Sequence, residues 1–271
     1  MPELPEVETT RRGLAPALEG RTIRAVRVRE RRLRWPLPAG FEAELAGRTV
    51  RAVRRRAKYL LVDLGDRTLI MHLGMSGNLR LVPAATPPLA HDHVDLVLDS
   101  GACLRFNDPR RFGSLQLARG DPARHPLLCA LAPEPLGRGF DAAYLHARTR
   151  GRRVAIKQFL MNAREVVGVG NIYASEALFH ASLRPRRAAG RLTRTDCARL
   201  VAAVRRVLSA AIRSGGTTLR DYVNADGMPG YFRQKLYVYE RAGEPCRVCA
   251  TPIRQAPQGQ RSTYWCATCQ Q

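Results

Sequence analysis

The chain is short of lysine, of acid and of long apolar stretches. Of its 45 basic side chains only three are lysine, Lys58, Lys157 and Lys235, and 23 acidic residues leave a formal net charge of +22. No apolar run approaches the roughly 18 residues of a membrane-spanning helix, and the N-terminus lacks the apolar core of a signal peptide. Both absences point to a soluble intracellular protein. There is no internal repeat and no low-complexity tail. What remains is an excess of positive charge spread over the whole length, which is expected where the partner is a polyanion, nucleic acid first among them. In such an arginine-rich chain each lysine becomes a candidate for work that suits a compact point charge.

Cysteine is also sparse and unevenly placed. Cys103, Cys129 and Cys197 stand alone and read as small buried hydrophobes. Cys246, Cys249, Cys266 and Cys269 form two C-x2-C pairs separated by sixteen residues. That is zinc-ribbon spacing, each pair closing a turn on one side of a tetrahedral thiolate site. Two disulfides would need an oxidising compartment, for which nothing in the sequence argues.

The first six residues, MPELPE, place a potential amine nucleophile beside two carboxylates. Removal of Met1 exposes the secondary amine of Pro2, and an α-amino group with a reference pKa of about 7.7–8.0 is partly neutral near pH 7. Attack on a carbonyl-level carbon would give an iminium, with Glu3 and Glu6 near enough in sequence to move protons. The same prolines and acids also mark the start of a helix over 7–18.

Apolar and basic residues alternate over 21–34, which predicts a strand with one face solvated or turned to phosphate. Further short strands are expected at 50–53, 59–64, 68–73, 79–82, 94–98, 103–106 and 114–117, separated by Gly, Asp and Pro, so the first half reads as a β-sandwich or barrel. Three of its loops carry unusual side chains. RRAKYLL sets Lys58 at the start of a strand, HLGMSG sets His72 and Met75 around a glycine, and NDPRRFG sets Arg110, Arg111 and Phe112 in a Pro-led turn. Met75 and Phe112 are candidate wedges into a duplex.

Pro, Gly and Arg dominate 118–140, an interdomain connection. Helical spacing follows at 142–148, 154–161, 172–181 and 194–214. In VVGVGNIYASEALF, Asn171 is a candidate helix N-cap, with glycines before it that would let a phosphate approach. The glycine-rich stretch 213–230 is a candidate lid. Arg254, Gln255, Gln258, Gln260 and Arg261 are expected at the outward tip of the ribbon.

Taken together, PELPEVET, RRAKYLL, HLGMSG, DPRRFG, VGVGNIYASEALF, GGTTLRDY, DGMPGYF and the C-x2-C…QRSTYWCATC terminus resemble bacterial formamidopyrimidine-DNA glycosylases, from residue 2 to residue 269 in the family's order. The resemblance implies an α+β fold in two domains: an N-terminal helix plus β-sandwich, and a C-terminal helix-two-turn-helix domain with a four-cysteine zinc ribbon. The implied boundaries are 1–118 for the catalytic sandwich, 119–140 for the linker, 141–230 for the helical DNA-binding domain with its lesion loop, and 231–271 for the zinc finger. It implies excision of 8-oxoguanine and formamidopyrimidines from double-stranded DNA, strand cleavage by β,δ-elimination, one structural Zn2+, a monomer, no membrane and a cytoplasmic, nucleoid-associated location.

Residue by residue, the resemblance makes Pro2 the nucleophile at C1′, Glu3 the acid at the deoxyribose ring oxygen and Glu6 the support of the active-site network. Lys58 and Arg261 join the catalytic set at phosphates, with Asn171 and His72 on the same backbone. Met75, Arg110 and Phe112 fill the gap left by the flipped nucleotide, and His91 and Lys157 add DNA contacts. Gly215, Gly216, Thr217, Thr218 and Tyr222 belong to the lesion loop. The family often has aspartate where this chain has Asn162, and its P-E-L-P start separates it from the endonuclease VIII branch, the nearest enzymatic alternative. A non-catalytic binder of damaged DNA is the alternative from another class.

Overall fold

A computed structural model describes residues 2–217 and 235–271. It divides into two compact units, Met1–Cys129 with Ser214–Tyr231, and Ala130–Arg213 with Phe232–Gln271.

The first unit begins with helix α1 (Leu4–Leu18), which starts three residues earlier than the apolar spacing suggests. Its start is set by a capping box: the Glu3 side chain accepts from the backbone of Glu6, and a Glu6 carboxylate oxygen accepts from the Glu3 N–H at 2.9 Å. Pro5 sits in the first turn, where its missing N–H costs no hydrogen bond. Strands β1 (Ile23–Val28), β6 (Asp92–Leu98), β7 (Ala102–Asn107) and β5 (Asn78–Pro83) form one antiparallel sheet in the order β1-β6-β7-β5. Strands β2 (Ala52–Arg56), β3 (Tyr59–Asp63), β4 (Arg67–His72) and β8 (Ser114–Arg119) form the other, in that order. Leu60 and Val62 of β3, Leu69 and Met71 of β4, Leu96 and Leu98 of β6 and Leu104 and Phe106 of β7 meet in one core with Val7, Leu14 and Leu18 of α1. This is the expected sandwich plus N-terminal helix.

One expectation needs correction here. The strand expected over 21–34 is confined to Ile23–Val28; just beyond it the Arg29 N–H donates to the His93 carbonyl at 2.8 Å and its guanidinium pairs with the buried Asp95 at 2.5 Å. Residues 41–45, on which the sequence made no prediction, form a short helix α2 (Phe41–Leu45) whose Phe41 and Leu45 enter the core.

The second unit holds α3 (Ala142–Thr149), α4 (Ile156–Leu160), α5 (Asn171–His180) and α6 (Arg194–Arg213). Residues Ile172 to Phe179 of α5 are all buried, so this helix runs through the centre of the unit. Its neighbour α6 buries only one stripe, Leu200, Val204, Val207, Leu208 and Ala211 among them, and shows water Arg194, Arg199, Arg206 and Arg213. The chain closes with the hairpin β9 (Arg254–Gln258) and β10 (Arg261–Trp265). Gly259 and Gln260 between them have φ of 56° and 59°, the pattern of a type I′ turn. Of the isolated cysteines, Cys103 and Cys197 are buried as expected, whereas Cys129 is exposed.

Candidate active site and metal centre

Pro2 and Glu3 are buried at the head of α1. Glu6 lies one turn on, 1% exposed, and its two carboxylate oxygens face different parts of the chain. One accepts the Glu3 N–H at 2.9 Å, and Oε1 accepts the N–H of Thr217 at 2.8 Å. The approach is close enough to dictate Gly216: a Cβ there would sit 3.0 Å from Glu6 Oε1, at a φ of +83° that disfavours other residues. Gly216 and Thr217 are therefore tied to α1, Gly215 precedes them at a φ of 72°, and Thr218 and Tyr222 lie outside the described residues.

Lys58 is the second residue of the two-residue turn between β2 and β3, after Ala57 at a φ of 54°. His72, at the end of β4, pairs with Tyr59 across the sheet, and their rings are 4.9 Å apart. Burial, with the nearby charges of Lys58 and Arg34, pushes the His72 pKa down to about 4. His72 is therefore neutral at pH 7. Its Nδ1 accepts the Gly74 N–H at 3.0 Å, which leaves the proton on Nε2 as a donor.

The loops 73–77 and 108–113 are built as one piece. A Cβ on Gly74 would lie 2.4 Å from the backbone of both Phe112 and Gly113, so the two turns touch main chain to main chain. Asp108, fully buried, locks them: it accepts from Ser76 Oγ at 2.7 Å and from the Gly113 N–H at 2.7 Å, while its carbonyl meets His93 Nε2 at 2.8 Å. On this base Met75 and Phe112 stand 39% and 44% exposed, and the Arg110 guanidinium lies 4.9 Å from the centre of the Phe112 ring. Large apolar side chains held out in water by a rigid base suit insertion into an apolar or stacked partner. Asp108 was missed by sequence reasoning, although an Asp directly before a proline in a turn is a signal for side-chain capping of the backbone. His91 is exposed at a φ of 68°, its ring 6.4 Å from that of His93.

In the second unit the hairpin is fastened near its tip. The carbonyl of Ser262 accepts from Lys157 Nζ at 2.9 Å and from Asn171 Nδ2 at 3.1 Å, and Lys157 also donates to Thr263 Oγ1 at 2.7 Å. This bears on two expectations. Lys157, expected among the DNA contacts, is 1% exposed, and its ammonium is taken up by the hairpin. Asn171 is the first residue of α5, with Gly170 in the capping position, and its side chain crosses to Ser262 while its buried Oδ1 has no hydrogen-bond partner. Arg261, next to Ser262, is exposed at the turn. Gln258 and Gln260 share the tip with it, but Arg254 pairs with Trp265 at the opposite end of the hairpin. Asn162 accepts the Arg164 N–H at 3.0 Å, an Asx turn that an aspartate would form equally well while adding a negative charge.

The four sulfurs of Cys246, Cys249, Cys266 and Cys269 lie within 4.8 Å of one another. Cys249 is 3.4 Å from both Cys266 and Cys269, and Cys246 is 3.9 Å from Cys269. A tetrahedron with Zn–S bonds of about 2.3 Å has edges of about 3.8 Å, so the set fits one zinc ion. The Val248 N–H points at Cys246 Sγ and the Cys269 N–H at Cys266 Sγ, at 3.5 and 3.4 Å, as suits thiolate acceptors.

Comparison with known proteins agrees with this geometry. Residues 1–115 match the formamidopyrimidine-DNA glycosylase N-terminal domain, residues 131–223 the formamidopyrimidine-DNA glycosylase H2TH domain, and residues 243–271 a zinc finger found in FPG and IleRS. The chain is 59% identical over 270 residues to a formamidopyrimidine-DNA glycosylase of Thioalkalivibrio sulfidiphilus, covering 100% of both. The crystal structure of MutM (FPG) from Thermus thermophilus is similar at a TM-score of 0.90 and 42% identity, over 99% of this chain and 98% of that one. A Lactococcus lactis FPG mutant in complex with a Fapy-dG containing DNA is similar at a TM-score of 0.93 and 33% identity, over 100% of both chains. The C-terminal cysteines hold one structural zinc.

Proposed function

The chain belongs to the formamidopyrimidine-DNA glycosylase family, and on that premise we propose how its own residues excise an oxidised purine from double-stranded DNA and cut the strand at the vacated site. The protein is a base-excision-repair glycosylase with AP lyase activity. The damaged nucleotide must leave the stack, because C1′ is out of reach inside it. Met75, Arg110 and Phe112 occupy the gap it leaves. Once Met1 is removed, the nitrogen lone pair of Pro2 forms a bond to C1′, the glycosidic electrons depart with the base, and the proton lost by the Pro2 nitrogen is taken up by the departing base. Glu3 protonates the ring oxygen as the sugar opens, which gives the iminium. Loss of a proton from C2′ then expels the 3′ phosphate, a second elimination expels the 5′ phosphate, and hydrolysis restores the amine.

Glu6 holds the head of α1 and the first residues of the lesion loop with one carboxylate. Lys58, neutral His72 donating from Nε2, Asn171 and Arg261 bind backbone phosphates. Zinc takes no part in the chemistry: its work is to fold the ribbon that carries Arg261. The protein acts as a monomer in the bacterial cytoplasm and is found with the nucleoid through its substrate.

The observation that carries this reading is the burial of Pro2 and Glu3 together at a helix start that Glu6 braces from both sides. Borohydride trapping on a duplex with 8-oxoguanine opposite cytosine, with mass spectrometry of the adduct, tests it. A crosslink at Pro2 with strand cleavage is expected. Absence of any crosslink in protein lacking Met1 refutes the nucleophile assignment.

A further inference from the structure

At the far end of α5 from Asn171, ten residues or about 15 Å along the helix, three cavities meet at His180. The largest, about 360 Å³, is lined by His180, Arg206, Val207, Ala210, Lys235, Tyr237 and Arg247. A second of about 240 Å³ continues along α6 past Ser182 and Arg199, and a third of about 320 Å³ runs beside Val248 and Cys269 of the ribbon. Among the described residues lining these three, none is a carboxylate.

The wall is ordered by aromatic contacts. Tyr237 stacks on Phe179 at 5.2 Å, the His180 ring meets Tyr237 edge-on at 4.6 Å, and Arg247 lies 5.8 Å from the Tyr237 ring centre. The segment behind it is rigid, because the buried Glu176 carboxylate accepts the N–H groups of Tyr237, Val238 and Tyr239, each at 2.9 Å. Three exposed cations on two separate stretches, α6 and residues 235–247, thus face a concave site with a flat apolar wall. Arg199 also borders the cavities, but Asp196 pairs with it at 2.6 Å.

We infer that this cavity is a second anion site, separate from the lesion site, that takes a nucleotide phosphate: the phosphate between Arg206, Lys235 and Arg247, and the sugar and base against Tyr237 and His180. A cavity of about 360 Å³ exceeds what a bare phosphate needs and suits a mononucleotide unit. The guanidinium forks supply bidentate donors that match phosphate oxygens. His180 is suited to the uncharged part, because burial and the Arg206 charge push its pKa down to about 4 and keep it neutral. The phosphate could come from a free nucleotide or from the backbone of a second DNA segment.

The test uses the zinc-loaded full-length protein with its lesion duplex bound, so that the lesion site is occupied. ADP is titrated calorimetrically in one arm and a short undamaged duplex in the other. Arg206→Gln and Arg247→Gln alter exposed side chains outside the excision machinery, so cleavage of the lesion duplex stays at the wild-type rate. Binding of ADP, weakened by about tenfold or more in each variant, with a rise in the His180 pKa followed by NMR, establishes the site for free nucleotides. Binding of the second duplex alone, lost in the same variants, establishes it for DNA backbone. No binding in either arm, or binding that both variants leave unchanged, overturns the inference.

Discussion

The two units position their functional side chains by different means. In the first, buried carboxylates do it: Glu3 and Glu6 fix the head of α1 and residues 215–217, and Asp108 joins the two turns that carry Met75, Arg110 and Phe112. In the second, a metal closes the ribbon, and an ammonium and an amide converge on one carbonyl to hold its tip. A carboxylate with two oxygens can accept from two chain segments at once, so it suits a site where loops meet. A small ribbon has too little core to hold itself, with only Tyr264, Ile253 and a few neighbours buried around the cysteines, so a metal must supply the closure.

The comparison can be broken at either end. The largest effect is expected from Pro2→Gly combined with Glu3→Gln: excision and the trapped adduct fall by several orders of magnitude, while affinity for the lesion duplex changes little. Next comes the metal. Cys246→Ser, or a strong chelator, unfolds the ribbon and lowers DNA affinity, and elemental analysis of the untreated protein finds one zinc per chain.

Asp108→Ala leaves the Ser76 hydroxyl and the Gly113 N–H unsatisfied inside the protein. A loss of roughly 1–3 kcal/mol of unfolding free energy is expected in denaturant melts, with slower excision as the wedge loses its base. Lys157→Met sharpens the contrast with the second unit. It removes a buried ammonium that holds the hairpin, so DNA affinity is expected to drop while the salt dependence keeps its slope. Arg261→Gln, by contrast, lowers that slope by about one.

The smallest effect is a pH limb. The His72 pKa lies near 4 in the folded protein against 6.5 ordinarily. Between those values the unfolded chain binds the proton and the folded one does not, so stability falls as pH drops from about 6.5 to about 4. His72→Gln should flatten that part of the stability profile, and DNA affinity of the wild type should show no His72 titration between pH 6 and 8.

Much of this was legible in the sequence where a local rule decides the structure. The C-x2-C pairs specify a metal tetrahedron almost by spacing alone, and β3 to β8 announce themselves through alternation and turn residues. What escaped depends on distant partners. Nothing near Lys157 says that its ammonium will be taken by residues 262 and 263, and nothing near Arg29 says that its guanidinium will pair with Asp95. Asn171 has the residue type of a helix cap, but a carbonyl 91 positions away takes its side chain instead. Asp108 was open to being read, and its neighbours Arg110 and Phe112 drew attention from it.

The bond between Glu6 and Thr217 spans 211 positions of sequence. During synthesis the N-terminal unit can pack its sandwich long before residue 217 leaves the ribosome, and for that interval Glu6 lacks this donor. The head of α1 therefore gains this brace only when nearly all of the chain has been made. A truncated product ending before residue 217 would keep α1 and the sandwich and still lack this bond.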